Sequence, residues 1–276
     1  MERLLKYMLT FREILTSFRR IGLDSSRPVI VHASLSSFGQ VNGGADTICG
    51  ALLAAFQTVV VPAFTYKTMI IPEVGPEENA IIYGSGKDTN RMAEFFTQSM
   101  PVDKMIGAVP EALRKHPKAI RSTHPILSFA GVSSVESRAA AILESQSLEF
   151  PLAPIEKIAE DNGYVLLLGV GNTVNTSIHY GEYLAGRKQF TRWALSVQGI
   201  IECPRFPGCS DGFSAINDSI DSLTMKSQAG EAEVRAIPIV DLLDAVQVCV
   251  KNDPLSLLCS RPDCARCNAV RAAVTV

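Results

Sequence analysis

The sequence predicts an α/β fold, layered α/β/α around a central sheet, with a smaller C-terminal lobe. Short apolar runs at Val29 to Val31, Thr58 to Val61 and Tyr164 to Gly169 have the length and continuity of strands buried on both faces. The stretches between them space their apolar residues for helices, and strands alternating with helices imply a layered sheet. A chain of 276 residues with 47% hydrophobic content can bury a large core. Residues 1–276 are read as a single domain, with the C-terminal lobe beginning near 199.

Leu4 to Phe18 has helical spacing, broken by Gly22, Asp24, Ser25 and Ser26 before Pro28 opens the first strand. A loop runs from His32 past Gly39, Gly43 and Gly44, and Ala45 to Phe56 is helical again. Thr58 to Val61 is a strand closed by Pro62. Thr65 to Thr89, rich in Pro, Gly, Glu and Asn, is a candidate lid or substrate-binding insertion. Asn90 is placed to cap a helix over Arg91 to Gln98, and a short helix is expected over Gly107 to Lys115. Leu127 to Val132 reads as strand, Ser137 to Gln146 as helix, and Pro154 to Asp161 as a helix stopped by Asn162 and Gly163. Tyr164 to Gly169, the most apolar run, belongs near the sheet centre. Thr176 to Ala185 is expected to be helical, Trp193 to Gln198 and Ile200 to Glu202 to be strands, and Val240 to Val250 to be a helix.

Charge excludes some functions. The 26 basic and 28 acidic residues are dispersed and give a net charge of −2, without the basic footprint that nucleic acid demands. No run approaches the roughly 20 apolar residues of a membrane span. The opening residues read as an amphipathic helix instead of a signal peptide, so a cytoplasmic location is expected. Oligomeric state is encoded in no motif.

Three motifs carry little. Gly169-Val170-Gly171 lacks the third glycine and the acidic ribose ligand of a dinucleotide fingerprint, and is read as a tight turn. Gly208 to Gly212 matches G-x-S-x-G, but Pro204 and Pro207 spoil the preceding strand and no histidine follows residue 179. Of seven cysteines, Cys259, Cys264 and Cys267 contain one two-residue spacing suited to zinc, with Cys203 or Cys209 available as a fourth ligand. A second such pair is missing, so ordinary reduced cysteines are the preferred reading.

Among four histidines, His32 follows a buried strand and can pin the turn, and His116 lies among Lys115, Pro117 and Lys118 at the surface. His124 could orient a ligand or satisfy buried backbone. His179 has Glu182 three positions on, which on a helix puts base and carboxylate on one face. Such a pair suits a general base working near neutral pH, although spacing alone favours a surface ion pair.

Several blocks, in order, resemble the aminoglycoside 3-N-acetyltransferase family. They are Val31 to Gly39 with Gly43 to Asp46, Val61 to Thr65, Gly107 to Glu111, Arg121 to Pro125, and Val165 to Glu182. The resemblance runs from about Val29 to Trp193 and on toward the C-terminus. It implies an α/β fold unrelated to the common GNAT acetyltransferases, and transfer of acetyl from acetyl-CoA to an amine with no metal needed for the chemistry. Carried over residue by residue, it places His32, Ala33, Ser34, Leu35, Ser36, Ser37, Gly43, Gly44, Val109, Pro110, Arg121 and Ser122 at the CoA site. His179 matches the family's catalytic histidine and Glu182 its partner acid, with Thr65 or a backbone amide as the oxyanion donor.

The segments Thr65 to Lys104 and Phe150 to Ile155 depart from the family's aminoglycoside-binding forms, which leaves the acceptor open. A polycationic acceptor calls for a cleft lined with carboxylates, for which Glu73, Glu77, Glu78, Asp88, Asp103 and Asp161 are candidates. The readings carried forward are an aminoglycoside or amino-sugar N-acetyltransferase, an acyltransferase on another small amine, and a CoA-binding or zinc-stabilised protein without turnover.

Overall fold

A computed structural model describes residues 8–274. In chain order the elements are α1 (Phe11–Arg20), β1 (Val29–Ala33), α2 (Gly44–Ala55), β2 (Thr58–Pro62), β3 (Met69–Ile70), α3 (Lys87–Arg91), α4 (Ala108–Arg114), β4 (Ile120–Arg121), β5 (Phe129–Ser133), α5 (Arg138–Glu144) and α6 (Ala153–Glu160). There follow β6 (Tyr164–Leu168), α7 (Thr176–Leu184), β7 (Phe190–Ser196), β8 (Gly199–Phe206), α8 (Asn217–Ile220), β9 (Met225–Ala229), β10 (Ala232–Pro238), α9 (Ile239–Asn252) and α10 (Ala265–Val274).

Seven strands form the main sheet in the order β4-β5-β2-β1-β6-β10-β9. Its middle, β2-β1-β6, is parallel, and the strands added outside it are antiparallel. β1, β2 and β6 are buried at every position, which is why they read as unbroken apolar runs. Side chains alternate between two cores. Ile30, Val60, Val165 and Leu167 face a core shared with Ile158, Ile178 and Val246, from α6, α7 and α9. Val31, Val61, Leu166 and Leu168 face the other, shared with Ile14, Leu52 and Leu113, from α1, α2 and α4. Each such side chain contributes about 1.5–3 kcal/mol, so the layering is the dominant stabilising feature.

The expected layers and most elements are present, with instructive differences. α1 starts at Phe11, because Leu9 pairs in a bridge with Val41 and Thr10 caps the helix with Glu13; the earlier part of the expected first helix lies outside the described residues. No helix spans Arg91 to Gln98. Asn90 sits within α3 instead, its amide donating to the Ile71 carbonyl and accepting from the Ile71 N–H, both at 2.8 Å. β8 runs through Pro204, which is tolerated because β8 is the edge of a separate sheet, β3-β7-β8. The C-terminal residues are divided: β8 belongs to that small sheet, whereas β9 and β10 extend the main one beside β6.

The 65–89 insertion is stitched down. Buried Asn79 accepts from the Thr191 N–H at 2.7 Å and donates to the Thr191 carbonyl at 2.9 Å, and Tyr83 packs edge-on against Trp193.

Candidate active site

The parallel strands β2, β1 and β6 all point their carboxyl ends to one edge of the sheet, and the chain leaves β1 for a neighbour on one side while β6 pairs on the other. In open α/β sheets ligands collect at such a point. A cleft of about 820 Å³ opens there, walled by the segments after β1 (His32 to Ser36), β2 (Phe64, Tyr66) and β6 (Val170, Thr173 to Thr176). Its remaining wall comes from Gly107 and Ala108 at the start of α4, and from Gly208, Ser210, Asp211 and Arg266 in the C-terminal part.

α7 delivers a histidine into this cleft. Asn175 caps the helix, its side chain accepting from the Ser177 N–H at 3.2 Å, and it is itself fixed by donating to Asn172, which donates to Asn217. Thr176 to Glu182 are all buried, so α7 is a core helix, not a surface one. His179 lines the cleft, and its Nδ1 lies 2.9 Å from Glu182 Oε2 one turn on. The other oxygen of Glu182 forms an ion pair with Arg187 at 3.0 Å, with both side chains 3% exposed. Arg187 is anchored in turn by donating to the Pro254 and Ser256 carbonyls. Phe213 packs edge-on against the imidazole, ring centroids 4.6 Å apart. With the carboxylate accepting at Nδ1–H, the imidazole keeps its Nε2 lone pair for the cleft. Pair spacing alone left a surface salt bridge open; burial removes that reading.

The other expected site residues divide sharply. His32, Ala33, Ser34, Leu35, Ser36 and Pro110 line the same cleft as His179. Ser37 instead donates to the Gly169 carbonyl at 2.8 Å, closing the tight turn after β6. Gly43 and Gly44, both at positive φ, turn the chain into α2 away from the cleft lining. Val109 is buried under α4, its carbonyl accepting from Cys49.

Arg121 and Ser122 are not on the cleft either. The Arg121 guanidinium is spent on the Gln98, Met100 and Ala63 carbonyls and on Ser128, and Ser122 accepts from the Phe129 N–H. Thr65 is fully buried and donates to the Pro125 carbonyl at 2.7 Å, so its hydroxyl proton is already committed. Its expected oxyanion role does not fit this geometry.

His124 accepts from the Ile126 and Leu127 N–H groups through Nδ1, which decides for the backbone role, and burial lowers its pKa to about 4. His32 is buried with Nε2 unpartnered at the cleft, and burial lowers its pKa to about 3. Both are neutral at pH 7.

The electrostatics of the cleft differ from expectation. Among its described lining residues Asp211 is the single carboxylate, beside the cations Lys104, Arg192 and Arg266. None of Glu73, Glu77, Glu78, Asp88, Asp103 and Asp161 lines it; Glu78 pairs with Lys188 and Asp161 with Arg138. Arg192 lies between the Phe190 and Phe206 rings, 5.4 Å from each, where burial lowers its pKa to about 10. Arg187, Phe213 and the three lining cations escape sequence reading because their partners are remote in the chain. Of the metal candidates, Cys203 is buried in β8, whereas Cys209, Cys259, Cys264 and Cys267 converge.

The model of the aminoglycoside 3-N-acetyltransferase family matches residues 30–251, and the chain belongs to that family. It is 32% identical over 184 residues to the SPbeta prophage-derived aminoglycoside N(3')-acetyltransferase-like protein YokD of Bacillus subtilis, covering 63% of this chain and 65% of that one. It is 26% identical over 233 residues to aminoglycoside N(3)-acetyltransferase III of Salmonella, covering 76% and 79%. The solved apoenzyme of aminoglycoside acetyltransferase AAC(3)-IVa has the same fold, with a TM-score of 0.78 at 24% identity over 98% of this chain and 99% of that one. No described helix is long and apolar enough to cross a membrane.

Proposed function

We propose that this family member transfers acetyl from acetyl-CoA to an amine by direct attack in a ternary complex, with His179 as the general base. The observation that carries this reading is the buried Glu182 carboxylate, which fixes His179 through Nδ1 and leaves Nε2 for the cleft. His179 Nε2 takes a proton from the amine as its nitrogen attacks the thioester carbonyl, and Glu182 supports the imidazolium that forms. The departing CoA sulfur receives the electron pair of the broken C–S bond.

The cleft suits acetyl-CoA, which supplies the activated acetyl group. An apolar floor of Phe64, Leu127 and Phe206 meets polar Ser34 and Ser36, with Lys104 and Arg266 available for phosphates. The structure of AAC-IIIb, 19% identical, is a binary complex with CoASH. Thr65 being committed, the oxyanion falls to a backbone amide. Those of Leu35 and Ser36, opening the 3-10 turn Leu35–Phe38 on the cleft wall, have no earlier turn to serve.

The family points to the 3-amino group of an aminoglycoside or a related amino sugar as acceptor, in the cytoplasm where acetyl-CoA is made. A second reading, a smaller and less cationic amine, is favoured by the cleft's three cations and single carboxylate. Thiol release from acetyl-CoA, followed colorimetrically across a panel of aminoglycosides and simple amines, separates the two. Release with none of them would leave a CoA-binding protein without turnover.

A further inference from the structure

Cys209, in the loop after β8, meets Cys259, Cys264 and Cys267 from the C-terminal segment, and all four Sγ atoms lie within 4.8 Å of one another. Every one of these residues is buried, and none takes part in a disulfide. Four sulfurs around Zn²⁺ at about 2.3 Å stand roughly 3.8 Å apart, so the cluster needs to contract by no more than about 1 Å to close a tetrahedron.

Packing alone does not account for the convergence. The cysteines form a hydrophobic cluster of their own, joined only by partly buried Leu258, and α10 buries just Cys267 and Val270. Four thiols make a poor core, and small lobes lacking one are where metals supply folding free energy. The backbone is also built to bring the two segments together. A side chain at Gly212 would come within 2.4 Å of the Leu257 carbonyl oxygen, so the loop lies directly on the 257–258 backbone.

Hydrogen-bond donors stand beside the sulfurs. The Asp211 N–H donates to Cys209 and the Cys267 N–H to Cys264. Arg261 donates to the Cys259 and Cys264 sulfurs while pairing with Asp211 at 2.7 Å. Such outer donors offset the double negative charge of a tetrathiolate zinc site and orient its ligands.

We propose that Cys209, Cys259, Cys264 and Cys267 bind a structural Zn²⁺ that staples the 207–212 loop to the C-terminal segment. Binding releases the four thiol protons to solvent and leaves no open coordination position, so the ion takes no part in the reaction. Its effect on the cleft is positional. Gly208, Ser210, Asp211 and Arg266, which neighbour the ligands in sequence, line the cleft, and Phe213 packs on His179.

The test is elemental analysis of the full chain purified without a metal-affinity tag, added metal or chelator. About one zinc per chain is expected, released as an organomercurial titrates about four thiols, with a lowered Tm once the metal is gone. Chain grown in cobalt should show thiolate-to-cobalt charge-transfer bands. C264S and C267S should lose the zinc and C249S, outside the cluster, should keep it; if the first two fail to fold, the titration of the unaltered chain still decides. Folded chain that contains no metal, with these thiols free or disulfide-bonded, overturns the proposal, and stoichiometric iron overturns the choice of zinc.

Discussion

His179 Nδ1 and Glu182 Oε2 lie 2.9 Å apart on successive turns of a helix that is buried along this stretch. The contact fixes the imidazole, and the proposed proton transfer uses the opposite ring nitrogen. His179→Ala is expected to lower kcat by about 10²- to 10⁴-fold while the fold persists. Steady-state kinetics with an accepted amine, alongside circular dichroism, checks this; full turnover would remove His179 from the mechanism.

Glu182 has two clients, so its replacement acts on two observables. Glu182→Gln leaves the Arg187 cation buried without its partner, and removing one member of a buried pair costs about 3–5 kcal/mol. The double variant Glu182→Gln/Arg187→Met should recover most of that stability without recovering kcat. Urea unfolding and kinetics on the same samples separate the two effects; parallel recovery of both would mean that Glu182 is purely structural.

Arg121 commits its guanidinium to the fold, off the cleft lining. Arg121→Met strips donors from the buried Met100 and Ala63 carbonyls, the part-buried Gln98 carbonyl and Ser128, at about 1–3 kcal/mol for each buried group left unsatisfied. A large fall in Tm is expected, with the KM for acetyl-CoA of the folded fraction changed by less than about twofold, since no binding free energy is lost. A selective rise in that KM would restore Arg121 to the cofactor site.

Much of the architecture was legible because it rests on local pattern. β1, β2 and β6 are apolar throughout since both faces are covered, and His179 and Glu182 share a face because helices repeat every 3.6 residues. What escaped depends on remote partners. Thr65 and Arg121 carry the right donors for a CoA site but spend them on backbone carbonyls brought in by the sheet, and the Ser122 hydroxyl accepts from the Phe129 N–H and donates to the Gln146 side chain. Arg187 follows the end of α7 and finds its role through residues 254 and 256. The fourth cysteine of the thiol cluster comes from 50 residues before the next one, so spacing could offer it only as one of two choices, Cys203 or Cys209. β9, at the sheet edge, and β10 beside it went unread because both interrupt their apolar positions with polar, solvent-facing ones.

Acid should destabilise the chain through two histidines. In the folded state His32 and His124 titrate at about 3 and about 4, against 6.5 when unfolded, because burial penalises the imidazolium. The unfolded chain therefore binds more protons in between, so their contribution is complete above pH 6.5 and lost as pH falls through the folded values. His124→Asn keeps an acceptor for the Ile126 and Leu127 N–H groups but cannot titrate. Comparing urea unfolding at pH 7.5 and 4.5, the variant should lose about 2 kcal/mol less than the parent chain. Equal losses would show that His124 is not buried neutral.

Acceptor binding should depend on CoA through charge. Lys104, Arg192 and Arg266 against Asp211 give the described lining three positive groups and one negative, a net of +2 from these four. A polycationic amine is repelled by such a cleft until the phosphates of CoA cover the cations, after which Asp211 has less opposition. Calorimetry should find an aminoglycoside binding at least about tenfold more tightly with CoA present, a difference of about 1.4 kcal/mol. Added salt should shrink that difference, because part of it acts across solvent. Asp211→Asn should weaken the ternary complex by about two- to fivefold, in line with one partly exposed charge, while a monoamine, with less charge to gain, should respond less. Equal aminoglycoside affinity with and without CoA would show that these cations do not face the acceptor, and would remove the electrostatic case for a smaller amine.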